Sequence, residues 1–566
     1  VTPAPGHGVP PSPGGGRRPL GQILKARGLV KESQIQEALA LQRKHGGLIG
    51  QLLIQLGAVG SADVALALAE QAGLETVDLS RIQPAREALA LVDGNTAHTF
   101  GVLPLSVEGR TLIVAIADPL NTSVLEDLRF TTGLDVRGKV GDGEKIRELV
   151  RSSYGEEATL ADAIRQAANA SKAGDVQSAA QSMPVVRLLN SILHQAIKDR
   201  ASDVHFELYD DRFRIRYRVD GALYEVESPP MHLAVPLVAR IKVMADLDIA
   251  ETRMPQDGRI ELSIDGRPVD LRVATIPGIS GESCVLRVLD RSAVQLSLAA
   301  LGLRIEDEEV LRELTQLPHG IVLITGPTGS GKTTTLYAML QETNTPDLKI
   351  ITAEDPVEYD IDGIVQVPVN DEIGVTYARI LRTVLRQDPD KILIGEIRDG
   401  ETAAVAVEAS LTGHTVFSTL HTNDAPSAVT RLVDIGVEPF MITATVEAVI
   451  AQRLVRKVCE SCKSAYQPEE ALLAELGADA AHLAGATFYF GKGCEACHHT
   501  GYRGRTGLFE VLRFNDEIRN AVLAAASTAE VRAAAARAGM RSLRSAGLLA
   551  LTEGRTSIEE VLRETL

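Results

Sequence analysis

Residues Ile321 to Leu340, reading IVLITGPTGSGKTTTLYAML, limit what this chain can be more than any other stretch. The β-branched and apolar run Ile321 to Thr325 reads as a buried strand, followed by a loop with three glycines and a helix-forming segment. The spacing Gly326-x-x-x-x-Gly331-Lys332-Thr333 is that of a phosphate-binding loop in its required strand–loop–helix setting. Gly326, Gly329 and Gly331 let the backbone curl so that successive N–H groups face phosphate oxygens. The helix that follows adds the positive end of its dipole. The stretch Gly326, Pro327, Thr328, Gly329, Ser330, Gly331, Lys332, Thr333 and Thr334 is therefore expected to hold a nucleoside triphosphate. Lys332 would reach the β- and γ-phosphates, and the Thr333 hydroxyl would ligate Mg²⁺.

Downstream, Lys349 to Thr352 reads as a short strand that delivers Ala353-Glu354-Asp355-Pro356-Val357-Glu358 at its end. Three carboxylates on a strand tip near a phosphate loop suit Mg²⁺ coordination through water and polarisation of an attacking water. Lys391 to Glu396, KILIGE, is an apolar strand ending in an acid, where a second metal-side carboxylate is expected. Thr412-Gly413-His414 and Thr419-Leu420-His421-Thr422-Asn423 bracket a further strand, Thr415 to Ser418. Histidines at strand ends could sense the γ-phosphate; taken alone, each reads as a hydrogen-bonded structural histidine.

Cys459-x-x-Cys462 and Cys494-x-x-Cys497 are two knuckles whose spacing suits a closed Cys₄ site for structural Zn²⁺. The fifth cysteine, Cys284, lies in a strand-like run and reads as a small core residue. Paired knuckles fit metal ligation in a reducing compartment better than disulfides. The 58 basic and 75 acidic residues give a net charge of −17, with no Lys/Arg-rich block, against an electrostatic grip on nucleic acid. No apolar run reaches the roughly 18 residues that span a bilayer. The Pro/Gly-rich start lacks the apolar centre of a secretory signal, so the chain reads as soluble and intracellular.

At 566 residues several domains are expected. Residues 1–17 read as a disordered tail. The pattern Leu20-Gly21-x-x-Leu24-x-x-x-Gly28-Leu29-Val30 recurs 29 residues later as Ile49-Gly50-x-x-Leu53-x-x-x-Gly57-Ala58-Val59, which predicts two helix pairs packed on each other. A strand at Thr111–Ala117 and helices at Val124–Arg129 and Gly143–Ser153 complete an amino-terminal domain over 18–154. Residues 155–183 read as a flexible linker with a short helix. An α+β domain over 184–296 opens with an amphipathic helix and continues in alternating strands, one hairpin turning at Asp265-Gly266. An α/β core over 297–455, a tetracysteine module over 456–507 and a helical region over 508–566 follow.

The motifs GPTGSGKTTTLY, AEDPVE, LRQDPDKILIGEIRD and TGHTVFSTLHTNDAPSAVTRL together resemble those of the ATPases of type II secretion and type IV pilus assembly, the GspE/PilB family. The resemblance covers nearly the whole chain from about residue 18 and implies a hexameric motor with a RecA-like core, preceded by a PAS-like α+β domain. On the matching positions it implies ATP and Mg²⁺ on Lys332 and Thr333, and an aspartate box of Glu354, Asp355 and Glu358 with Glu358 as base. Glu396 becomes the acid of the second strand, and His414 and His421 the histidine box. It further implies arginines of the preceding domain reaching nucleotide across a subunit boundary; Arg259 and Arg272 are the candidates, with Arg382 and Arg386 contributing from the core side. Similar assembly motors carry the tetracysteine zinc module.

The amino-terminal repeat resembles the MshE-type domain, which binds cyclic di-GMP in some relatives. The Arg-Leu-Gly openings of that pattern are replaced here by Pro19-Leu20-Gly21 and Leu48-Ile49-Gly50; Arg18 could substitute in the first copy, but the second has no arginine, and the lost guanidinium contacts favour docking of a partner over dinucleotide binding. The resemblance thus implies a cytoplasmic ring at the inner face of a bacterial inner membrane. It would drive pseudopilus assembly for secretion, or pilus assembly, with a polytopic platform protein and a cytoplasmic recruitment domain as partners and no nucleic acid. A DNA translocase and a nucleotide-controlled scaffold with little turnover are the rival classes.

Overall fold

The computed structural model describes residues 20–565 without 46–48, 73, 81, 93, 118–121, 155–159, 171–178, 181, 265–266, 291–295, 477–482 and 484–485. The amino-terminal tail, Arg18, Pro19, Leu48 and the Asp265-Gly266 turn therefore lie outside the described residues. The chain forms two compact units, residues 1–294 and 295–566.

In the first unit the sequence repeat is a structural repeat. Helices Leu20–Ala26 and Glu32–His45 are followed by Ile49–Gln55 and Ser61–Ala72. Gly28 and Gly57, each just past the first helix of its pair, have φ of 73° and 65°, the left-handed conformation that ends a helix without a Cβ clash. Gly21 and Gly50 hold equivalent places: a Cβ on Gly21 would lie 3.3 Å from Ile35 Cγ2, and one on Gly50 2.9 Å from Val64 Cγ1. Each lets its short helix approach the β-branched residue of the longer one, and Leu24, Leu53, Ala38 and Ala67 fill the shared core.

Three strands then form a small sheet: β1 (Val102–Glu108), β2 (Thr111–Ile116) and β3 (Asp135–Val140), in the order β1-β2-β3. Only β2 is evident from apolar content, because β1 carries Pro104 and Ser106 and β3 alternates with charged residues.

A six-stranded antiparallel sheet follows, built from β4 (Asp203–Leu208), β5 (Phe213–Val219), β6 (Ala222–Glu225), β7 (Gln256–Ile264), β8 (Arg267–Gly278) and β9 (Gly281–Asp290) in the order β6-β5-β4-β9-β8-β7. The alternation Phe213, Ile215, Tyr217 against Arg214, Arg216, Arg218 separates its faces. The apolar face packs on helices Met183–Lys198 and Ala234–Met244, and Tyr217 OH donates to Ile192 O at 2.6 Å. Cys284 on β9 is fully buried there. Part of the stretch read as a linker is helix Leu160–Ala170, whose Ala163, Ile164 and Ala167 sink into this same core. On the polar face, Arg259, Arg272, Arg287, Asp203 and Arg218 occupy successive cross-strand positions.

The second unit is a seven-stranded sheet of β10 (Gly320–Thr325), β11 (Ile350–Glu354), β12 (Val365–Pro368), β13 (Lys391–Ile394), β14 (Thr415–Leu420), β15 (Val446–Val458) and, after two strands of the cysteine module, β18 (Tyr502–Arg513). The module strands β16 (Lys463–Tyr466) and β17 (Phe488–Gly491) pair with each other. The large sheet runs β12-β11-β13-β14-β10-β15-β18, parallel except for β18. With β10 counted as strand 1, the sheet order is 3-2-4-5-1-6-7 with strand 7 antiparallel, the RecA order. Strands β10, β11, β13 and β14 are buried on both faces, as expected for a parallel sheet flanked by helices, whereas edge strand β12 is exposed or half-buried along its length.

Two buried carboxylates fasten the carboxy-terminal helices. Glu510 on β18 accepts from the amides of Ala425 (2.8 Å) and Leu543 (3.1 Å), the first residues of helices Ala425–Asp434 and Leu543–Thr552. Glu560, 1 % exposed in helix Ile558–Glu564, accepts from the Arg456 amide (2.9 Å) and guanidinium (2.6 Å) on β15. Glu560→Ala would leave the Arg456 guanidinium without that partner and is expected to cost about 3–5 kcal/mol. A lower urea midpoint, with early tryptic cleavage inside residues 543–565, is the expected result; an unchanged midpoint would show the pair to be dispensable.

Candidate active site

Parallel register decides what meets at the phosphate loop. Residue pairing runs Gly320 to Thr415 and Thr325 to Leu420 between β10 and β14, and Thr325 to Ala451 between β10 and β15. The loop after β10, the His421 segment after β14 and Gln452-Arg453 on β15 therefore lie at one sheet edge, where ligands sit in open parallel sheets. The Thr325 hydroxyl closes this edge: it lies 3.1 Å from the carbonyl oxygens of Leu420 and Thr422, 2.8 Å from Thr422 Oγ1, and accepts from the Thr422 amide at 2.8 Å.

The loop has the geometry expected of it. Gly326, Gly329 and Gly331 have φ of 149°, 81° and 88°. A Cβ on Gly326 would stand 2.5 Å from Gln452 O, so that position tolerates no side chain. Helix Lys332–Glu342 starts with no side chain capping its first turn, which leaves that turn's amides directed at the loop. Lys332 Nζ donates to the carbonyls of Gly326 (2.9 Å) and Pro327 (3.1 Å), placing the ammonium over the loop. Burial lowers its pKa; Glu396 opposes that shift and Arg453 adds to it. Ser330 Oγ is buried with no hydrogen-bond partner among the described residues, a donor the loop holds in reserve for an oxygen ligand. Thr333 is exposed in the first turn and Thr334 half-buried. These features fit a Mg²⁺-bound triphosphate, with Lys332 and the loop amides on its oxygens and the Thr333 hydroxyl on the metal.

The acidic residues divide in role. Glu396 follows β13 by two residues, with its side chain 16 % exposed. Arg398 donates to its Oε1, and His421 Nε2 lies 3.1 Å from its Oε2. Burial pushes the Glu396 carboxyl upward, but the Arg398 hydrogen bond, the Arg398 charge and His421 outweigh it, so its pKa lies below the usual value. Asp355 is exposed and 3.8 Å from the same Arg398, so that one guanidinium bridges the two acidic segments. Glu354, expected beside the metal, turns inward instead. It is 3 % exposed and accepts from Tyr337 OH, from Thr352 Oγ1 (2.5 Å) and from Gln366 Nε2 (3.0 Å), which leaves it a brace for the strand end. Glu358 is half-buried, its amide donating to Tyr337 OH at 3.3 Å.

The two histidines are not brought together. His421 follows the end of β14 nearest the phosphate loop, whereas His414 precedes its far end, six residues or roughly 20 Å away. His414 Nδ1 lies 2.9 Å from Ala409 O and 3.1 Å from Thr412 Oγ1, a stop for helix Gly400–Leu411. Arg382, in helix Tyr377–Val384, pairs with Glu401 at 2.7 Å on the surface, and Arg386 is exposed two residues past that helix. Arg259 and Arg272 face each other across β7 and β8 in the first unit.

Sequence reading missed Arg398, Gln452 and Arg453. Arg398 lies inside the quoted GEIRD motif, two residues past Glu396, a spacing that keeps both within reach of one another. Gln452-Arg453 interrupts the apolar run VEAVIA on β15, and such a polar pair inside a buried strand is the available signal.

The four cysteine sulfurs lie within 4.8 Å of one another. Separations of 3.9 Å (Cys459–Cys494 and Cys462–Cys497) and 3.7 Å (Cys494–Cys497) match the edge of about 3.8 Å in a Zn–S tetrahedron. The amides of Cys494 and Gly501 approach Cys497 Sγ at 3.2 and 3.3 Å, the support expected around a thiolate ligand. Zn²⁺ held by these four residues would leave no open position, and so a structural role.

A RecA-type P-loop ATPase is what this fold and site define. The family described as Type II/IV secretion system protein matches residues 178–563, and the MshEN domain matches residues 72–160. The type IV pilus assembly ATPase PilB of Myxococcus xanthus is 42% identical over 557 residues, covering 96% of this chain and 98% of the relative. The type II secretion system protein E of Xanthomonas campestris is 42% identical over 558 residues, with the same coverage of each. In fold, the X-ray structure of the Legionella pneumophila ATPase DotB superposes with a TM-score of 0.50 at 23% identity, covering 66% of this chain and 94% of that one. The chain belongs to the type II/IV secretion system protein family and is an ATPase of it.

Two outcomes follow from this geometry. Gly326→Ala should abolish ATP binding in a fluorescent-nucleotide assay, because its methyl collides with Gln452 O; binding within about threefold of wild type would refute the close approach. Glu396 has a folded pKa below its unfolded value, so its contribution to stability is complete above the unfolded pKa and disappears as pH falls through the folded one. Melting curves of the wild type should therefore steepen on the acid side, and Glu396→Gln should flatten that limb.

Proposed function

We propose that this chain is a ring-forming motor whose ATP hydrolysis drives pseudopilus assembly in type II protein secretion. The observation that carries this reading is the likeness, over 96% of the chain, to a type II secretion system protein E, together with Lys332, Glu396 and His421 at one edge of a RecA-ordered sheet. Assembly of a type IV pilus is the second reading, favoured by an equal identity to a PilB. Six copies would form the ring. The partners would be a polytopic inner-membrane platform protein and the cytoplasmic domain of a recruitment protein, at the inner face of the membrane. No helix among the described residues is long and apolar enough to cross a membrane, which agrees with attachment through partners.

In this mechanism Lys332, the loop amides and Thr333 bind and orient the triphosphate. Mg²⁺, when bound, neutralises charge on the phosphate oxygens. Glu358 is the proposed base for water, with Glu396 fixed by Arg398 and His421 on the same side of the sheet. Charge that develops on the transferred phosphoryl group needs a planar cation; Arg259 and Arg272 are proposed to supply it from a neighbouring subunit, with Arg382 and Arg386 on the core side. Asp355 is assigned to the metal's water shell. The repeated amino-terminal helices are assigned to partner docking rather than to cyclic di-GMP.

Steady-state ATPase assays on the purified chain test this. Glu358→Gln should bind ATP yet turn over at least about 10²-fold more slowly, and Lys332→Ala should reduce turnover to background. A wild type no faster than Lys332→Ala would instead make the protein a nucleotide-controlled scaffold. Complementation of secretion-defective against pilus-defective strains separates the two biological readings.

A further inference from the structure

Arg453 is 7 % exposed on β15, and its guanidinium stands where three segments of the site converge. Nη1 donates to Gln452 O at 3.1 Å and lies 3.3 Å from where a Cβ of Gly326 would be, at the first residue of the phosphate loop. Nη2 donates to Asn423 O at 2.7 Å, in the segment that carries His421. The adjoining Gln452 is as deeply buried: its carbonyl abuts Gly326, its Oε1 accepts from Thr335 Oγ1 at 2.8 Å, and its Nε2 lies 2.9 Å from a Cβ position on Gly331.

A buried guanidinium is expensive to maintain, and paired carboxylates are the usual compensation. Here the hydrogen bonds among the described residues go to main-chain carbonyls, while Asp424, Glu510 and Glu564 act only as more distant charges. A fork bonded to two carbonyls is a geometric device. Nη1 and Nη2 are rigidly related, so Asn423 O is held at a fixed distance from the start of the phosphate loop. Two residues before Asn423, His421 meets Glu396. The Thr325–Thr422 hydroxyl pair anchors the same segment from β10, and Arg453 anchors it from β15. An ammonium at 453 would offer its donors from one nitrogen, without the rigid fork that fixes the spacing between the two carbonyls.

We propose that Arg453 is a positioning residue for ATP hydrolysis: its fork locks the Thr422–Asn423 segment to the phosphate loop and thereby sets His421 against Glu396. This rests on the reading of His421 and Glu396 as parts of the hydrolytic site. Arg453 itself is not placed in contact with nucleotide; it acts through the loop it holds.

The test uses the full-length chain and separates binding from turnover. Arg453→Lys keeps the charge and loses the fork. It should bind fluorescent ADP within about threefold of wild type while its kcat falls at least about tenfold. In a His421→Ala background, Arg453→Lys should lower kcat by less than about twofold more, because both changes break the same arrangement. If His421→Ala turns over like wild type, the site reading of His421 fails, and the proposed route fails with it. If His421→Ala loses turnover but Arg453→Lys does not, or if the two losses multiply, the proposal for Arg453 alone is overturned. A lower Tm with kcat and nucleotide affinity unchanged would make Arg453 a packing residue only and also overturns it. Should Arg453→Lys not fold, Thr422→Val cuts the tether from β10, and the same non-additivity with His421→Ala is required of it.

Discussion

The parallel pairing of β10 with β14 on one side and β15 on the other is the constraint on which the rest of the site depends. A parallel strand delivers its carboxyl end to the same edge as its neighbour's, so three segments distant in sequence arrive together with no loop having to reach for another. Register then has chemical meaning. With Thr325 opposite Leu420, its hydroxyl falls among the polar atoms of Leu420 and Thr422, and the glycine loop leaves the sheet beside His421. A one-residue slip would turn the Thr325 side chain to the other face and dissolve that junction.

Charge at this edge is arranged around a single acid. Glu396 takes Arg398 on one oxygen and His421 on the other, and it also lies within electrostatic range of Lys332. Arg398 extends the arrangement to Asp355. Binding of a triphosphate brings further negative charge to Lys332 and alters the balance that holds Glu396. The ion pairs here are partly exposed, so they set orientation more than they add stability.

The sequence was most readable where backbone chemistry dictates residue type. Glycines at positive φ in the phosphate loop and at the ends of the repeat helices admit few substitutes, and the cysteine knuckles announce their own geometry. Strands with little apolar content were the least readable: β1 carries Pro104, and β3 alternates with charge. Side-chain direction was harder still. Glu354 and Glu358 share a motif, yet Tyr337, Thr352 and Gln366 draw the first inward. His414 and His421 are only seven residues apart, but a strand lies between them. Arg453 gains its place only from pairing between β10 and β15, a relation between residues more than a hundred positions apart and so invisible to local pattern.

Glu510 joins two helices that the sequence keeps far apart, and it arrives 85 residues after the first of them begins. Chains are made from the amino end, so the phosphate loop leaves the ribosome well before Gln452, Arg453 and Glu510. A nascent chain therefore has a nucleotide-binding motif whose supporting strand has not yet been made. The order of synthesis thus leaves the site without Gln452, Arg453 and Glu510 until the last strands of the sheet have been made.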